Sequence, residues 1–500
     1  MSKHKLHPIS SIINFLKGLK ELIVPIAIIL LSRLFNKSDE MNFWSDLFPI
    51  LIIVLPIVFY LFSGVIKWWT FVYWFEDAEL RVEYGLFIKK KRYIPFERIQ
   101  SLNYKEGIFH RVFGLVQVMI ETAGSTNGKP EVELTAVTKS AAKQIEEEME
   151  RAKNLVQIVG DHESTKMNEE IVSKSSSSII HKMSNKDLLL LATTSNGIGV
   201  VLAGVFALLS QFSEYIPYDF IYEEMRAIVQ FGVVVILFMI MASLLLAWLL
   251  SIAITYINYF DFIVLEESEK IIVSRGLLEK KKVTIPLNRV QAIKIIENPL
   301  RQLFGYASVV VESAGGAVSE KEKKMILFPL IKKKQLLGIL NHLFPQFDLE
   351  LEVIKPPLKA KTFFYRSDFI WLIPVIGLCS YFYYPLGLLS FLLIIPVVLL
   401  GIWRFKTTGY AIKGNQLTII YRIFSRVTFL VEKKRIQVIE RKQSVFQKRR
   451  KLATIQATVM SGLAGATAKA SHLSEEHANT MLNWFENEKK GLSHKWRFFH

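Results

Sequence analysis

The sequence offers chemistry first through its cations. Lys89, Lys90, Lys91 and Arg92 stand in a row, and Lys280, Lys281 and Lys282 form a second row of the same kind. Such rows can lie against anionic lipid, where each Lys or Arg contributes about 1 kcal/mol. They can equally be solvated basic strands that follow the bias for positive charge on the inner side of a membrane. A second set pairs Arg98 with Gln100, Arg289 with Gln291, and Arg435 with Gln437. Two apart on a strand, Arg and Gln share one face, while Ile99, Val290 and Ile436 between them point inward. The Arg then either pins a neighbouring loop or carboxylate, such as Glu106 or Glu297, or contacts a ligand. Catalysis finds little to work with. His162, His472 and His477 lie in polar segments without metal-ligand spacing. No Gly-x-Ser-x-Gly, phosphate-loop or His-Glu-x-x-His pattern occurs, and Gly315-Gly316 and Ser461-Gly462 read as loop ends. The single cysteine, Cys379, sits in an apolar run, which excludes intramolecular disulfides and cysteine metal sites. Neither an enzyme nor a cofactor is expected.

These cations belong to a unit that the chain writes more than once. Residues 84–124 and 275–315 align without a gap and agree at 16 of 41 positions. The shared residues include Gly85-Leu86 with Gly276-Leu277, both lysine rows, Ile94-Pro95 with Ile285-Pro286, and Phe113-Gly114 with Phe304-Gly305. Glu121-Thr122-Ala123-Gly124 matches Glu312-Ser313-Ala314-Gly315. A worn third copy from Tyr421 keeps Phe424, Arg435-Ile436-Gln437, Lys442, Phe446 and Leu452, with Arg422 in place of Gly85 and Arg450-Lys451 in place of Phe113-Gly114. Each copy follows a strongly apolar region, so the chain is three units of membrane hairpin plus module.

Composition agrees. Half the chain is hydrophobic (51%), yet the net charge is +17, so the cations sit outside the apolar runs. Lying close to those runs, they favour anionic lipid over nucleic acid as a partner. Spans are expected at 22–31 (interrupted by Pro25), 47–66, 188–209, 227–254, 369–384 and 386–403, about six helices in three hairpins. The first is retained as an anchor, since no small-residue cleavage site follows it. Between spans, period-two alternation as in Leu80-Arg81-Val82-Glu83-Tyr84 predicts short strands, and Thr138 caps a helix over 141–152. The boundaries read 1–75 for the first hairpin, 76–155 for module 1, 156–187 for a polar linker, 188–260 for the second hairpin and 261–350 for module 2. A linker at 351–367, the third hairpin at 368–405 and module 3 at 406–490 complete the chain. A fragment of about 262–345 is expected to fold alone with Phe304 in its core, and Gly114 and Gly305 to make turns that a side chain would obstruct. The hairpin turns are acidic or neutral while the module flanks are basic, so both termini and all three modules should be cytoplasmic. That places Ser2, Ser176 and His500 inside, with Asn42 and Tyr218 outside.

The Gly-Leu turn, lysine-rich strand, Ile-Pro, Arg-Ile/Val-Gln and Phe-Gly turn, each after a membrane hairpin and closed by a helix, resemble the bacterial pleckstrin-homology-like (bPH2) membrane family, in its three-module form. The resemblance implies a polytopic α-helical membrane protein with α+β modules, each a partly open pleckstrin-homology-like β-barrel with a C-terminal helix. In eukaryotic relatives of that fold, basic residues beside the first hairpin bind lipid headgroups, and the lysine rows fall near the corresponding place. The function expected is docking of anionic lipid or a protein partner, a membrane protein or a second copy, at the cytoplasmic face of the cell membrane, in envelope stress or resistance to membrane-active peptides. An exporter or immunity-type channel is the rival, although the ionisable residues Glu21, Arg33, Lys67, Arg226, Asp261, Asp368 and Arg404 sit at span ends rather than within spans.

Overall fold

The computed structural model describes residues 3–35, 43–122, 130–160, 178–195, 197, 199, 201–204, 233–267, 269–313, 325–382, 384–461 and 465–496. The topology markers Ser2, Asn42, Ser176, Tyr218 and His500, together with His162, Gly315 and Gly316, lie outside them. The described residues gather into two compact units, one up to Pro286 and one from Leu287 on.

In the first unit, β1 (His4–Lys5) precedes helices α1 (Ile9–Phe35) and α2 (Phe43–Thr70). It pairs with β2 (Val72–Glu76), which continues into β3 (Glu79–Tyr84) and β4 (Lys90–Pro95) in an antiparallel sheet of order β1-β2-β3-β4. A 3-10 turn, Phe96–Arg98, leads to β5 (Ile99–Glu106), the short helix α3 (Ile108–Val112), β6 (Leu115–Thr122) and β7 (Val132–Thr138). Helix α4 (Lys139–Gly160) follows, and the Thr138 hydroxyl caps it by accepting the Ala141 N–H at 3.2 Å. Alternation turns Leu80 and Val82 of β3 inward, where they meet Val118, Ile120 and Leu134 in a core that Ile145 and Met149 of α4 close, while β6 is buried along its whole length.

The plan then restarts with β8 (Ser178–Lys182), α5 (Asn185–Thr193) and α6 (Val233–Tyr259), followed by β9 (Ile263–Glu267), β10 (Lys270–Arg275) and β11 (Lys280–Pro286). These strands do not form a sheet of their own. β11 pairs with β5, giving a seven-stranded sheet β7-β6-β5-β11-β10-β9-β8.

The second unit repeats that device. It runs through the 3-10 turn Leu287–Arg289, β12 (Val290–Glu297), the short helix α7 (Pro299–Leu303), β13 (Tyr306–Ser313), β14 (Met325–Lys332) and α8 (Lys333–Leu343). Next come α9 (Phe363–Phe382), the 3-10 stretch Leu386–Leu393 and α10 (Ile394–Thr407), and then β15 (Gly409–Lys413), β16 (Gln416–Arg422) and β17 (Arg426–Glu432). β12 pairs with β17, so this sheet has the order β14-β13-β12-β17-β16-β15. After the 3-10 turn Lys433–Arg435, β18 (Ile436–Lys442), the short helix α11 (Val445–Arg449), β19 (Leu452–Val459) and β20 (Ala466–Ser474) make a three-stranded sheet, closed by α12 (Glu475–Trp496). Small residues there, among them Ala453, Ala457, Ala468 and Ala470, let Ala478 and Met481 of α12 pack close.

These pairings correct the expectation of a second module that stands alone. Its strand β11 is bonded to β5, and its strand β12 to β17. Cutting out 262–345 would strip a backbone ladder from each side. Of the described helices, the stretches Leu51–Thr70, Phe238–Tyr259 and Gly387–Thr407 are long and apolar enough to cross a membrane. A fourth is added if Leu358–Arg366 and Asp368–Phe382, bent by 43°, count as one span.

Candidate membrane-contact site

Each module turns back on itself at a hairpin that follows a membrane helix, and each hairpin is tied to the end of that helix. In the first, the Gly85 N–H reaches the Thr70 hydroxyl at 3.4 Å in the last turn of α2. In the second, the N–H groups of Gly276 and Leu277 donate to the carbonyls of Phe260 and Ile257 at 2.8 and 2.9 Å. In the third, Arg404 Nε donates to the Ile423 carbonyl at 3.0 Å. Gly85 and Gly276 take φ of +109° and +111°, and an added Cβ would collide with the carbonyls of Ile88 and Glu279.

The residues held at these tips are apolar and exposed: Leu86, Phe87 (96% exposed) and Ile88, then Leu277 and Leu278, then Ile423 and Phe424. The short helices add more of the same. Ile108, Phe109, Val112 and Phe113 stand out around α3, Leu300, Leu303 and Phe304 around α7, and Val445 and Phe446 on α11. In the first unit, Arg111 of α3 donates to the Leu277 carbonyl at 2.7 Å, which brings that helix to the second tip. In the second unit, Gln302 of α7 accepts from Arg422 at 2.8 Å beside the third tip. Phe304 is 62% exposed, which corrects its expected place in the core, and Phe113 stands out likewise. Gly114 and Gly305 are corrected too. A Cβ there meets nothing within 4 Å, and the demand is for φ of +65° and +71°, a conformation that Lys451 adopts in the third copy at +51°.

The two lysine rows part company. Lys89, Lys90 and Lys91 are exposed at the start of β4, an edge strand, directly after the first tip. Arg92 is turned inward: its guanidinium donates to the Glu131 carbonyl and lies 3.3 Å from the Glu131 carboxylate. Lys280, Lys281 and Lys282 are built into the seam between β11 and β5, opposite Glu106, Lys105 and Tyr104. Lys280 lies 3.9 Å from Asp261, Lys281 3.4 Å from Glu279, and Lys282 5.3 Å over the Tyr104 ring. Burial, with the carboxylates of Glu146, Glu150 and Glu267, pushes the Tyr104 phenol well above its ordinary range. Around that seam Lys280 and Lys282 share with Lys139 and Lys143 the lining of a cavity of about 250 Å³.

The Arg-x-Gln positions mark a structural joint. Ile99, Val290 and Ile436 are buried as the spacing predicts, and the ladder shifts register at Gln100, Gln291 and Gln437. These are β-bulges, where one strand carries an extra residue. Arg98 is exposed, Arg435 donates to the Asn288 carbonyl at 2.8 Å, and Gln291 donates to the Arg289 carbonyl at 3.0 Å. Glu106 and Glu297 pair with Lys139 (3.3 Å) and Lys333 (2.7 Å), the first residue of α4 and of α8. The repeated acids Glu121 and Glu312 are buried. Ser101 and Asn103 donate to the first at 2.7 and 3.1 Å, and Lys294 pairs with the second at 2.6 Å. His472 is in β20, and burial lowers its pKa to about 4. His477 meets the Tyr410 hydroxyl at 3.0 Å, and no cluster of metal-ligand side chains occurs among the described residues.

Comparison with known proteins fits this arrangement. The bacterial PH domain family matches residues 22–153, 187–346 and 368–489. A curated relative, the UPF0699 transmembrane protein YdbT of Bacillus subtilis (strain 168), is 35% identical over 499 residues, covering 97% of this chain and 98% of that protein. No solved structure matches.

Proposed function

The chain belongs to the bacterial PH domain family, and from that premise we propose that it is a non-enzymatic, multi-pass protein of the cell membrane whose modules dock at the membrane surface. In this reading six helices in three hairpins cross the bilayer, and both termini and all three modules are cytoplasmic. The modules contact anionic lipid headgroups and present their outer faces to a membrane-protein partner or a second copy.

One observation carries the reading: every module's hairpin is hydrogen-bonded to the end of the apolar helix before it. A tip fixed there lies at the depth where that helix leaves the hydrocarbon. Exposed Leu, Phe and Ile side chains are costly in water and favourable at the acyl boundary. Lys89–Lys91 then fall at headgroup level, where a negative leaflet attracts them over a Debye length of about 8 Å. Lys280–Lys282, engaged in their seam, contribute less to that attraction.

The test uses the full chain in nanodiscs, with the fraction of phosphatidylglycerol retained around the protein measured after extraction from mixed phosphatidylcholine and phosphatidylglycerol. Changing Lys89, Lys90 and Lys91 together to Gln should lower the anionic enrichment several-fold, and high salt should lower it in the wild type. Equal enrichment in the variant, unaffected by salt, refutes lipid docking through this row.

A further inference from the structure

The third module breaks the repeat at its hairpin. Where the other two have Gly85 and Gly276, it has Arg422. The hairpin ladder there runs one pair further, Arg422 opposite Arg426, and closes over Ile423–Ser425. Arg422 is only 4% exposed. Its guanidinium lies 3.8 Å over the Trp403 ring, donates to the Phe424 carbonyl at 3.0 Å and to Gln302 at 2.8 Å, and has its buried Nε without a hydrogen-bond partner. All these hydrogen-bond partners are neutral. Burial lowers the pKa of Arg422, the guanidinium of Arg426 opposite lowers it further, and Glu297 acts the other way. A buried cation held by neutral groups and facing a like charge is short of an anion.

Arg422 lines a cavity of about 440 Å³ at the foot of the third membrane hairpin. Phe363 and Phe364 at the start of α9 supply apolar wall, and Arg404 and Lys469 supply charge. Arg404 is balanced by Asp368 at 2.6 Å, whereas Lys469 is exposed and has no carboxylate partner among the described residues. Of the other titratable side chains in the lining, His472 is neutral near pH 7, since its pKa is about 4, and burial, with the Glu312 carboxylate, raises the Tyr421 phenol and keeps it neutral as well.

We propose that this cavity is a phosphate site, with Arg422 and Lys469 contacting the anion and the phosphate supplied by a phospholipid headgroup or by free phosphate. A guanidinium with an unused N–H and an exposed ammonium lining the same cavity suit a tetrahedral oxyanion. The apolar wall and the position at the helix ends favour the headgroup as the source. The inference deepens the docking function by naming the group bound, and it depends on that function only for the lipid as source.

The full chain, purified in detergent, is titrated calorimetrically with dihexanoyl phosphatidylglycerol, dihexanoyl glycerol and inorganic phosphate. Wild type should bind the phospholipid and not the diglyceride. Lys469→Gln, an exposed change that leaves the core intact, should weaken binding roughly tenfold. Arg422→Gly, which restores the residue of the other two modules, should abolish it. The variant with Lys89, Lys90 and Lys91 changed to Gln should bind as wild type, which separates this site from the surface row. Displacement of the lipid by millimolar inorganic phosphate identifies a general phosphate site, and binding that phosphate does not disturb identifies a headgroup site. Equal binding of the diglyceride, no binding of either phosphate compound, or wild-type affinity in both Lys469→Gln and Arg422→Gly overturns the proposal.

Discussion

Two phenylalanines of the second module separate a residue that holds the fold from one that faces out of it. Phe328 on β14 is fully buried, and Phe304, at the end of α7, is 62% exposed. Truncating a fully buried ring costs about 3–5 kcal/mol, from lost transfer energy and the cavity left behind. Phe304 buries a little over a third of its surface within the protein, and that share of the 1.5–3 kcal/mol for burying a whole side chain is about 1 kcal/mol. Phe328→Ala should therefore weaken the module about 3–5 times as much as Phe304→Ala. Native-state hydrogen exchange on the full chain in detergent reads this locally, through the protection of β13 amides such as Val309 and Val311. Equal losses in the two variants would show that Phe304 is packed, and the outward direction of α7 would be wrong.

Two further outcomes follow from the buried polar groups. Lys294→Met strands the Glu312 carboxylate, which is left with the Ser461 hydroxyl, and should cost about 3–5 kcal/mol; the double variant Lys294→Met/Glu312→Met should recover most of the loss, and a double variant as unstable as the single one contradicts the pairing. For His472, the folded pKa near 4 lies below the usual value near 6.5, so unfolded chains bind the extra proton between those limits and stability should fall as pH drops from 6.5 towards 4; thermal melts of His472→Gln should lose that slope, and a slope equal to wild type's rules the residue out.

The sequence displays what lies along a strand or helix far better than what lies across it. Alternation marks which face is buried, so Ile99, Val290 and Ile436 were legible as core, and Thr138 was legible as a cap. Edge pairing leaves no such trace, because the ladder bonds come from backbone groups common to all residues. The seams of β5 with β11 and of β12 with β17 were therefore invisible, and with them the true setting of Lys280–Lys282. β1, of two residues, is too short to show a period. Phe304 misleads because apolar character alone does not tell a core position from an exposed one. Arg422 reads in the sequence as a worn glycine; only burial shows it as a charge lacking its counterpart.

The claim on which the account rests is that the hairpin tips enter the membrane interface. It is tested by placing single cysteines at Phe87, Leu278 and Phe424 in a chain whose native thiol is removed by Cys379→Ser. The cysteines are labelled with an environment-sensitive fluorophore and the chain is reconstituted in liposomes, with Lys143→Cys on the exposed face of α4 as the aqueous control. Blue-shifted emission is expected at all three tips, with quenching by lipids brominated on the acyl chains and protection from iodide, and the control should behave oppositely. Tips that iodide quenches as readily as position 143, and that brominated lipid leaves bright, would contradict the claim.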